Sequence, residues 1–198
     1  PSKTDGIQDV IKRNLGDINI EDLPIPFSCI STDLKSTKEI VFRNGNLAKA
    51  VAGSCCVPGV FVPVVYGKYN LADGGLRNNI PTNVPKKFGC DYVIGIDVNK
   101  YRTYGTDSIK LTDVLPATIR ILMQSSSLRG YLTADVMVGP ETKKFSSTKA
   151  KDDDMMNIEE GYKETIDKMP QILQLMSKKP LKKKVKQQYL DEEMVINE

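Results

Sequence analysis

The chain has 198 residues, 40% hydrophobic and 27% charged, a composition that excludes a disordered or collagen-like segment. The 28 Lys and Arg against 25 Asp and Glu leave a net charge of +3, too balanced to call for a nucleic-acid partner. There is no histidine, so a Ser-His-Asp triad, a Cys-His pair, a histidine metal site and a histidine general base are all excluded within the chain.

Residues 7–15 (IQDVIKRNL) place apolar side chains at 7, 10, 11 and 15, which is helical spacing, and Gly16 stops that helix. Pro24-Ile25-Pro26 is a stiff approach to a strand over 27–32 (FSCIST). A short polar turn at 34–37 leads to a second strand over 38–43 (KEIVFR). Asn46 caps a helix over 47–56 (LAKAVAGSCC), and Pro58-Gly59 ends it. Residues 60–66 read as a strand with Pro63 as its irregularity, Gly67-Lys68 as a turn, and 69–72 as a run out to Asp73-Gly74-Gly75. A short helix over 82–88 tolerates Pro85 in its first turn. Residues 91–98 (DYVIGIDV) are nearly continuously apolar, as in a strand buried on both faces of a parallel sheet. A longer helix comes next over 111–128, then a buried strand over 135–139 and a helix over 157–176 with Pro170 as its kink or break. This alternation predicts an α/β fold, a three-layer α/β/α domain with a mostly parallel sheet.

The four cysteines, Cys29, Cys55, Cys56 and Cys90, form no C-x-x-C pair and read as buried thiols of a reducing, cytoplasmic compartment. The longest apolar stretches, 57–66 and 92–98, fall far short of a membrane span. No signal peptide is visible, and the start at Pro1-Ser2-Lys3 reads as a cut inside something longer. Residues 1–176 read as one domain and 177–198 as a lysine-rich tail.

Ligands of open α/β sheets bind beyond the carboxyl ends of the strands. Asp33, Asp73 and Asp97 close strands or strand-like runs there. Asp33 and Asp97 are better read as caps of the turns after them. Asp73 differs because Gly74 and Gly75 remove two Cβ atoms beside its carboxylate, permitting positive φ and close approach of a backbone or a substrate. A plain Asp-Gly turn is the competing reading. Without histidine, one familiar route to ester chemistry remains, a carboxylate that accepts a serine proton directly. Such a base must be partly desolvated, so that its pKa rises, and within about 2.6–3.2 Å of the hydroxyl. Nothing in the sequence specifies the second carboxylate of a glycosidase.

The run from 26 to 81 resembles the second half of a patatin-like phospholipase domain. The pattern there is a strand ending in T-D-L, a hairpin, a helix ending in A-S-x-x-x-P-x-x-F, and a hairpin delivering D-G-G. Thr32-Asp33-Leu34, the run from Ala52 to Phe61 and Asp73-Gly74-Gly75 fill those places. Residues 78–84 and 89–98 are similar to the next segments of the family domain, and 134–162 resemble the end of its bacterial branch. The resemblance implies a Ser-Asp dyad acting on acyl esters of lipids, with Asp73 as the catalytic base on a loop supported by Gly74 and Gly75. It implies no cofactor and no metal. The family's glycine-rich oxyanion loop and G-x-S-x-G elbow do not occur in the chain, so the nucleophile and oxyanion donors belong to an N-terminal half upstream of Pro1. Ser54 lies in A-G-S-C-C inside a helix, and Ser125–Ser127 end a helix without a glycine frame, so neither is a substitute.

The partners implied are a lipid or acyl-ester substrate and that N-terminal half, with no nucleic acid, and the chain alone is expected to be inactive. Six lysines within 178–186, with Leu181, Val185 and Tyr189 at four-residue spacing, read as a solvated tail; the alternative is a peripheral membrane contact. A non-catalytic patatin-like binding or regulatory module is the competing function. A nucleotide-binding domain has no G-x-G-x-x-G or P-loop here to support it.

Overall fold

The computed structural model describes residues 3–100, 111–141, 152–178 and 194–196. In chain order the first elements are α1 (Asp5–Leu15), β1 (Cys29–Asp33), β2 (Glu39–Phe42), α2 (Leu47–Ser54), β3 (Val64–Tyr66), β4 (Tyr69–Asp73) and α3 (Gly75–Asn78). After them come α4 (Asn83–Lys87), β5 (Ile94–Ile96), α5 (Leu111–Ser126), α6 (Leu128–Thr133), β6 (Val136–Val138), α7 (Asp152–Ser177) and β7 (Met194–Ile196). The chain divides into two compact units, residues 1–79 with 110–127 and 186–198, and residues 80–109 with 128–185.

The first unit is built on a five-stranded sheet in the order β3-β4-β1-β2-β7. Its β3–β4, β4–β1 and β1–β2 pairs are antiparallel, and only β2–β7 is parallel. This corrects the mostly parallel sheet expected from the alternation of elements. The cause is connection length. Parallel neighbours need a crossover of a dozen or more residues. A short turn joins β1 to β2, and Gly67-Lys68 alone joins β3 to β4. Gly67 takes φ 55 there, the positive value that a two-residue hairpin asks of its first position. All five residues of β1 are buried, as befits a strand with neighbours on both sides.

Two helix ends obey the local chemistry read from sequence. Gly16 ends α1 at φ 88, and its N–H donates to the Lys12 carbonyl. The Asn46 side chain accepts the Lys49 N–H at 3.0 Å and caps α2. The core gathers Ile40, Phe42 and Leu71 from the strands with Leu47, Ala50 and Ala52 from α2, and Ile7 and Ile11 of α1 pack against it. Phe42 and Tyr66 rings meet at 4.9 Å in a tilted pair. Gly53 lets α2 approach the sheet, because a Cβ there would stand 2.7 Å from Leu71 Cδ1.

In the second unit β5 and β6 form a two-stranded parallel sheet, with Ile94 opposite Val136 and Ile96 opposite Val138. Asp135 fastens it by accepting the Val93 N–H at 2.8 Å and pairing with Lys86. Thr82 Oγ1 donates to the Gly130 carbonyl at 2.8 Å. The expectation of a strand buried on both faces at 91–98 is not met. Ile94 and Ile96 are 45% and 63% exposed, and only Gly95 of β5 is buried. Pro85 sits in the first turn of α4, as expected, and α7 runs through Pro170 without a break. The four cysteines also divide differently from expectation, with Cys29 and Cys56 buried and Cys55 and Cys90 exposed. Among the described residues no helix is long and apolar enough to cross a membrane.

The C-terminal segment, expected to be a solvated tail, contributes β7 to the edge of the first unit's sheet. The lysine run itself lies mostly outside the described residues. Ile40, Val41 and Phe42, which pair with β7, are each no more than 1% exposed. Deleting residues 194–198 should therefore unpair a buried edge. A loss of about 1–2 kcal/mol corresponds to roughly 2–8 °C in Tm. Thermal unfolding monitored by circular dichroism checks this, and an unchanged midpoint would mean that β7 adds nothing to the sheet.

Candidate functional site

Asp73 is the last residue of β4 and lies across from Ser31 of β1. Three backbone contacts fix it. Its N–H donates to the Cys56 carbonyl at 2.8 Å, its carbonyl accepts from Thr32 Oγ1 at 3.0 Å, and the next N–H, that of Gly74, donates to the Ser54 carbonyl at 3.3 Å. The side chain is half-buried, and Oδ1 accepts the Gly75 N–H at 2.7 Å. No other group among the described residues donates to this carboxylate. Burial raises its pKa above the ordinary carboxylate range, against the Gly75 hydrogen bond, which lowers it.

The two glycines are there for space. Gly74 has φ −64, an ordinary helical value, so the positive φ entertained from sequence is not used. A Cβ at Gly74 would overlap the Ile30 carbonyl oxygen, and one at Gly75 would overlap the Met123 methyl group and stand 3.0 Å from Asp73 Oδ1. The close approach is therefore backbone on backbone at Gly74 and a neighbouring side chain at Gly75.

The other two aspartates are turn caps. Asp33 Oδ2 accepts from both the Ser36 N–H at 2.9 Å and the Ser36 hydroxyl at 2.7 Å, and Oδ1 accepts the Asn70 N–H at 2.9 Å. Burial pushes its pKa up, but the hydrogen bonds from Ser36, Asn70 and Lys35 prevail and hold it below the usual range. In the second unit Asp97 accepts the Asn99 N–H at 2.9 Å and the Tyr131 hydroxyl at 2.7 Å.

No serine hydroxyl reaches Asp73 among the described residues. Ser54 ends α2 and meets the Asp73 loop only through its carbonyl. Ser31 is fully buried, and its hydroxyl has no hydrogen-bond partner among the described residues. Ser125 is exposed on α5. Ser126 and Ser127 bond to carbonyls and to Asn79. Sequence reasoning missed Thr32 and Ser126, which bond to the backbone of Asp73 and of Gly75. Thr32 had a signal, since it precedes Asp33 on the strand beside the D-G-G loop; Ser126 had none.

The Cys29 thiol is pushed up to about 12, chiefly by burial and further by Cys55. Burial also raises Cys55 and Cys56, each of them near the Asp73 charge. These thiols stay protonated at neutral pH and are poor nucleophiles.

A family model described as patatin-like phospholipase matches residues 2–85. An uncharacterized NTE family protein of Mycobacterium tuberculosis is 32% identical over 97 residues, 49% of this chain and 27% of that protein. A second one from the same species is 39% identical over 75 residues, 38% of this chain and 13% of that protein. The neuropathy target esterase sws of Drosophila melanogaster is 36% identical over 90 residues, 44% of this chain and 6% of that protein. The chain thus spans about a quarter or less of the length of these relatives. The family match covers the Asp73 loop and stops before β5.

Gly74→Ala should destabilise the first unit by about 1–3 kcal/mol, the usual cost of overpacking, because a carbonyl group is what must give way. Gly6→Ala is the control, since nothing lies within 4 Å of its Cβ position on α1. Denaturant midpoints compare the two, and equal midpoints would mean that the Ile30–Gly74 contact relaxes freely.

Proposed function

We propose, from the premise that residues 2–85 belong to the patatin-like phospholipase family, that this chain is part of a lipid acyl hydrolase and supplies Asp73 as the base of a Ser-Asp dyad. The observation that carries the reading is the state of the Asp73 carboxylate. It is desolvated, one oxygen is held by the Gly75 amide, and the other is left without a donor among the described residues. A carboxylate with both oxygens satisfied, such as Asp33, is a poor proton acceptor. A fully solvated one has too low a pKa to be effective.

In this mechanism a serine from a segment outside the chain attacks the ester carbonyl while Asp73 takes the hydroxyl proton on its open oxygen. Amides of the same outside segment hold the oxyanion. The tetrahedral intermediate collapses, Asp73 returns the proton to the departing alcohol, and the acyl group stays on the serine. Asp73 then takes a proton from water as it attacks the acyl-enzyme and gives that proton to the serine oxygen as the second tetrahedral intermediate collapses and the fatty acid leaves. No step calls for a metal or a cofactor.

Uncovered apolar surface in each unit supports an additional segment. On α5, Leu111, Leu115 and Ile121 are 88%, 57% and 62% exposed. In the second unit, two parallel strands with exposed Ile94 and Ile96 fall short of the covered sheet that parallel pairing normally requires. A lipid substrate would also give the lysines of 178–186 a use at an anionic surface. The competing reading, a non-catalytic patatin-like module, draws on the lack of any hydroxyl bonded to the Asp73 carboxylate among the described residues.

The 198-residue chain alone should not hydrolyse p-nitrophenyl acyl esters above background, and turnover abolished by Ser54→Ala would relocate the nucleophile. In the protein that includes the outside segment, Asp73→Asn should lower kcat by about a hundredfold to ten-thousandfold. The two aspartates should differ in the sign of their effect on stability. Asp73 has a raised folded pKa, so its stabilising contribution is full below the unfolded pKa and is lost as pH rises through the folded value. At neutral pH Asp73→Asn should therefore unfold no more easily than the parent, and its amide oxygen still accepts the Gly75 N–H. Asp33 has a lowered folded pKa, so its contribution is present above the unfolded pKa and lost as pH falls through the folded one. Asp33→Asn should destabilise at pH 7, less so in acid, and keep kcat per folded molecule. Steady-state hydrolysis and denaturant unfolding at two pH values measure both, and an Asp73→Asn variant within threefold of parental kcat would sink the dyad and leave the binding module.

A further inference from the structure

The geometry points to Ser126 of α5 as a positioning residue for the Asp73 carboxylate, through its hold on Gly75; this deepens, and rests on, the reading of Asp73 as the base. The Ser126 hydroxyl donates to the Gly75 carbonyl at 2.6 Å, with the Met123 carbonyl as a second acceptor at 2.9 Å. Its oxygen accepts the Asn79 N–H at 3.2 Å. Gly75 is the first residue of α3, and Asn79 stands immediately after its last. One side chain therefore ties both ends of a single-turn helix.

That tie matters because so short a helix has almost no stability of its own; nucleation costs more than one turn returns. α3 must be placed by bonds from outside itself. The buried Asn78 Nδ2 donates to Glu39 Oε1 at 2.9 Å and fixes the far end against β2. At the near end the Ser126 side chain holds the Gly75 carbonyl. Gly75 has no side chain to lock its orientation; its carbonyl and its amide lie in successive peptide planes that meet at the Gly75 Cα, so holding the carbonyl limits how far the residue can turn. The carbonyl that Ser126 grips and the amide that meets Asp73 Oδ1 at 2.7 Å belong to the same residue. Ser127 provides a contrast one residue away. It accepts from Asn79 Nδ2 and donates to the Met123 carbonyl, with no bond to Gly75. Ser126 also lies well beyond residue 85, where the family match ends, so that match does not assign it.

The test uses the protein with its nucleophile-bearing segment, with kcat expressed per folded molecule. Ser126→Ala should lower kcat by about tenfold to a hundredfold, the scale of a misplacement near 1 Å, and leave KM within about twofold. The acid limb of the kcat/KM profile should move to higher pH, because a carboxylate that loses an N–H donor holds its proton more tightly. The other titratable groups near Asp73, Cys55 and Cys56 from the end of α2 and the turn after it, both have raised pKa values and remain neutral across that limb. Ser126→Thr should restore kcat and the limb, and Ser127→Ala should disturb neither. Loss of kcat with the limb at its parental pH would overturn the inference, since general damage lowers activity equally at every pH. Should Ser126→Ala fail to fold, Ser126→Val keeps the volume of the threonine variant without its hydroxyl, and a parental limb in that variant overturns it equally. Asp73→Asn run in parallel separates the two levels. If it stays active, the base assignment has failed. If it is inactive while Ser126→Ala is parental, only the positioning role has failed.

Discussion

The backbone of Gly74 runs against the carbonyl of Ile30 so closely that no Cβ fits between them. β1 is central in its sheet and fully buried, so the surface pressed on Gly74 does not move. With Gly74 fixed there, the chain leaving β4 must turn at once into α3, and the first free amide of that turn, Gly75 N–H, faces back onto the Asp73 side chain at 2.7 Å. A residue with a side chain at Gly74 would push the loop away from β1 and carry the amide with it. The single hydrogen bond on the carboxylate is thus a consequence of backbone packing.

Asp33 and Asp73 end neighbouring antiparallel strands, yet their environments push the two carboxyl groups in opposite directions. Burial raises both. Asp33 recovers through donors from Ser36 and Asn70 on its two oxygens, whereas Asp73 has one donor on one oxygen. The number of N–H and O–H groups aimed at each carboxylate decides which is a structural cap and which retains an open, desolvated oxygen. Neither residue's sequence neighbourhood decides this alone. Asp33 draws one donor from Asn70 on another strand, and the Gly75 donor to Asp73 depends on a glycine packed against Met123 of α5.

What could be read from the residues was local. Asn46 as a cap, Gly16 as a stop and Pro85 in a first turn each express one residue's backbone chemistry, and each is present. The antiparallel majority was also legible in principle, since a turn of a few residues after Asp33 and a Gly67-Lys68 hairpin cannot join parallel neighbours. The continuous apolar run at 91–98 outweighed that signal. Apolar residues in succession state what a strand can tolerate, and Ile94 and Ile96 show that tolerance of burial is not burial. The pairing of residues 194–196 with β2 and the reach of Ser126 to Gly75 join segments remote in sequence. No period or spacing encodes such contacts.

Asp73 poses an energetic conflict that the rest of the first unit resolves. A half-buried carboxylate with a raised pKa opposes folding at neutral pH, where it is ionised. The opposition is tolerable because the backbone around it is over-determined. The Asp73 N–H and C=O are bonded to Cys56 and Thr32, the Gly74 N–H to Ser54, and Asp33 supplies a carboxylate of the opposite sign of linkage two residues along from Ser31. None of these bonds uses the Asp73 carboxylate, so its protonation leaves them in place. The role proposed for Asp73, a base that gains and loses a proton in each turnover, would require that independence, because an amide and carboxylate that separated on every protonation would have to find each other again before the next attack.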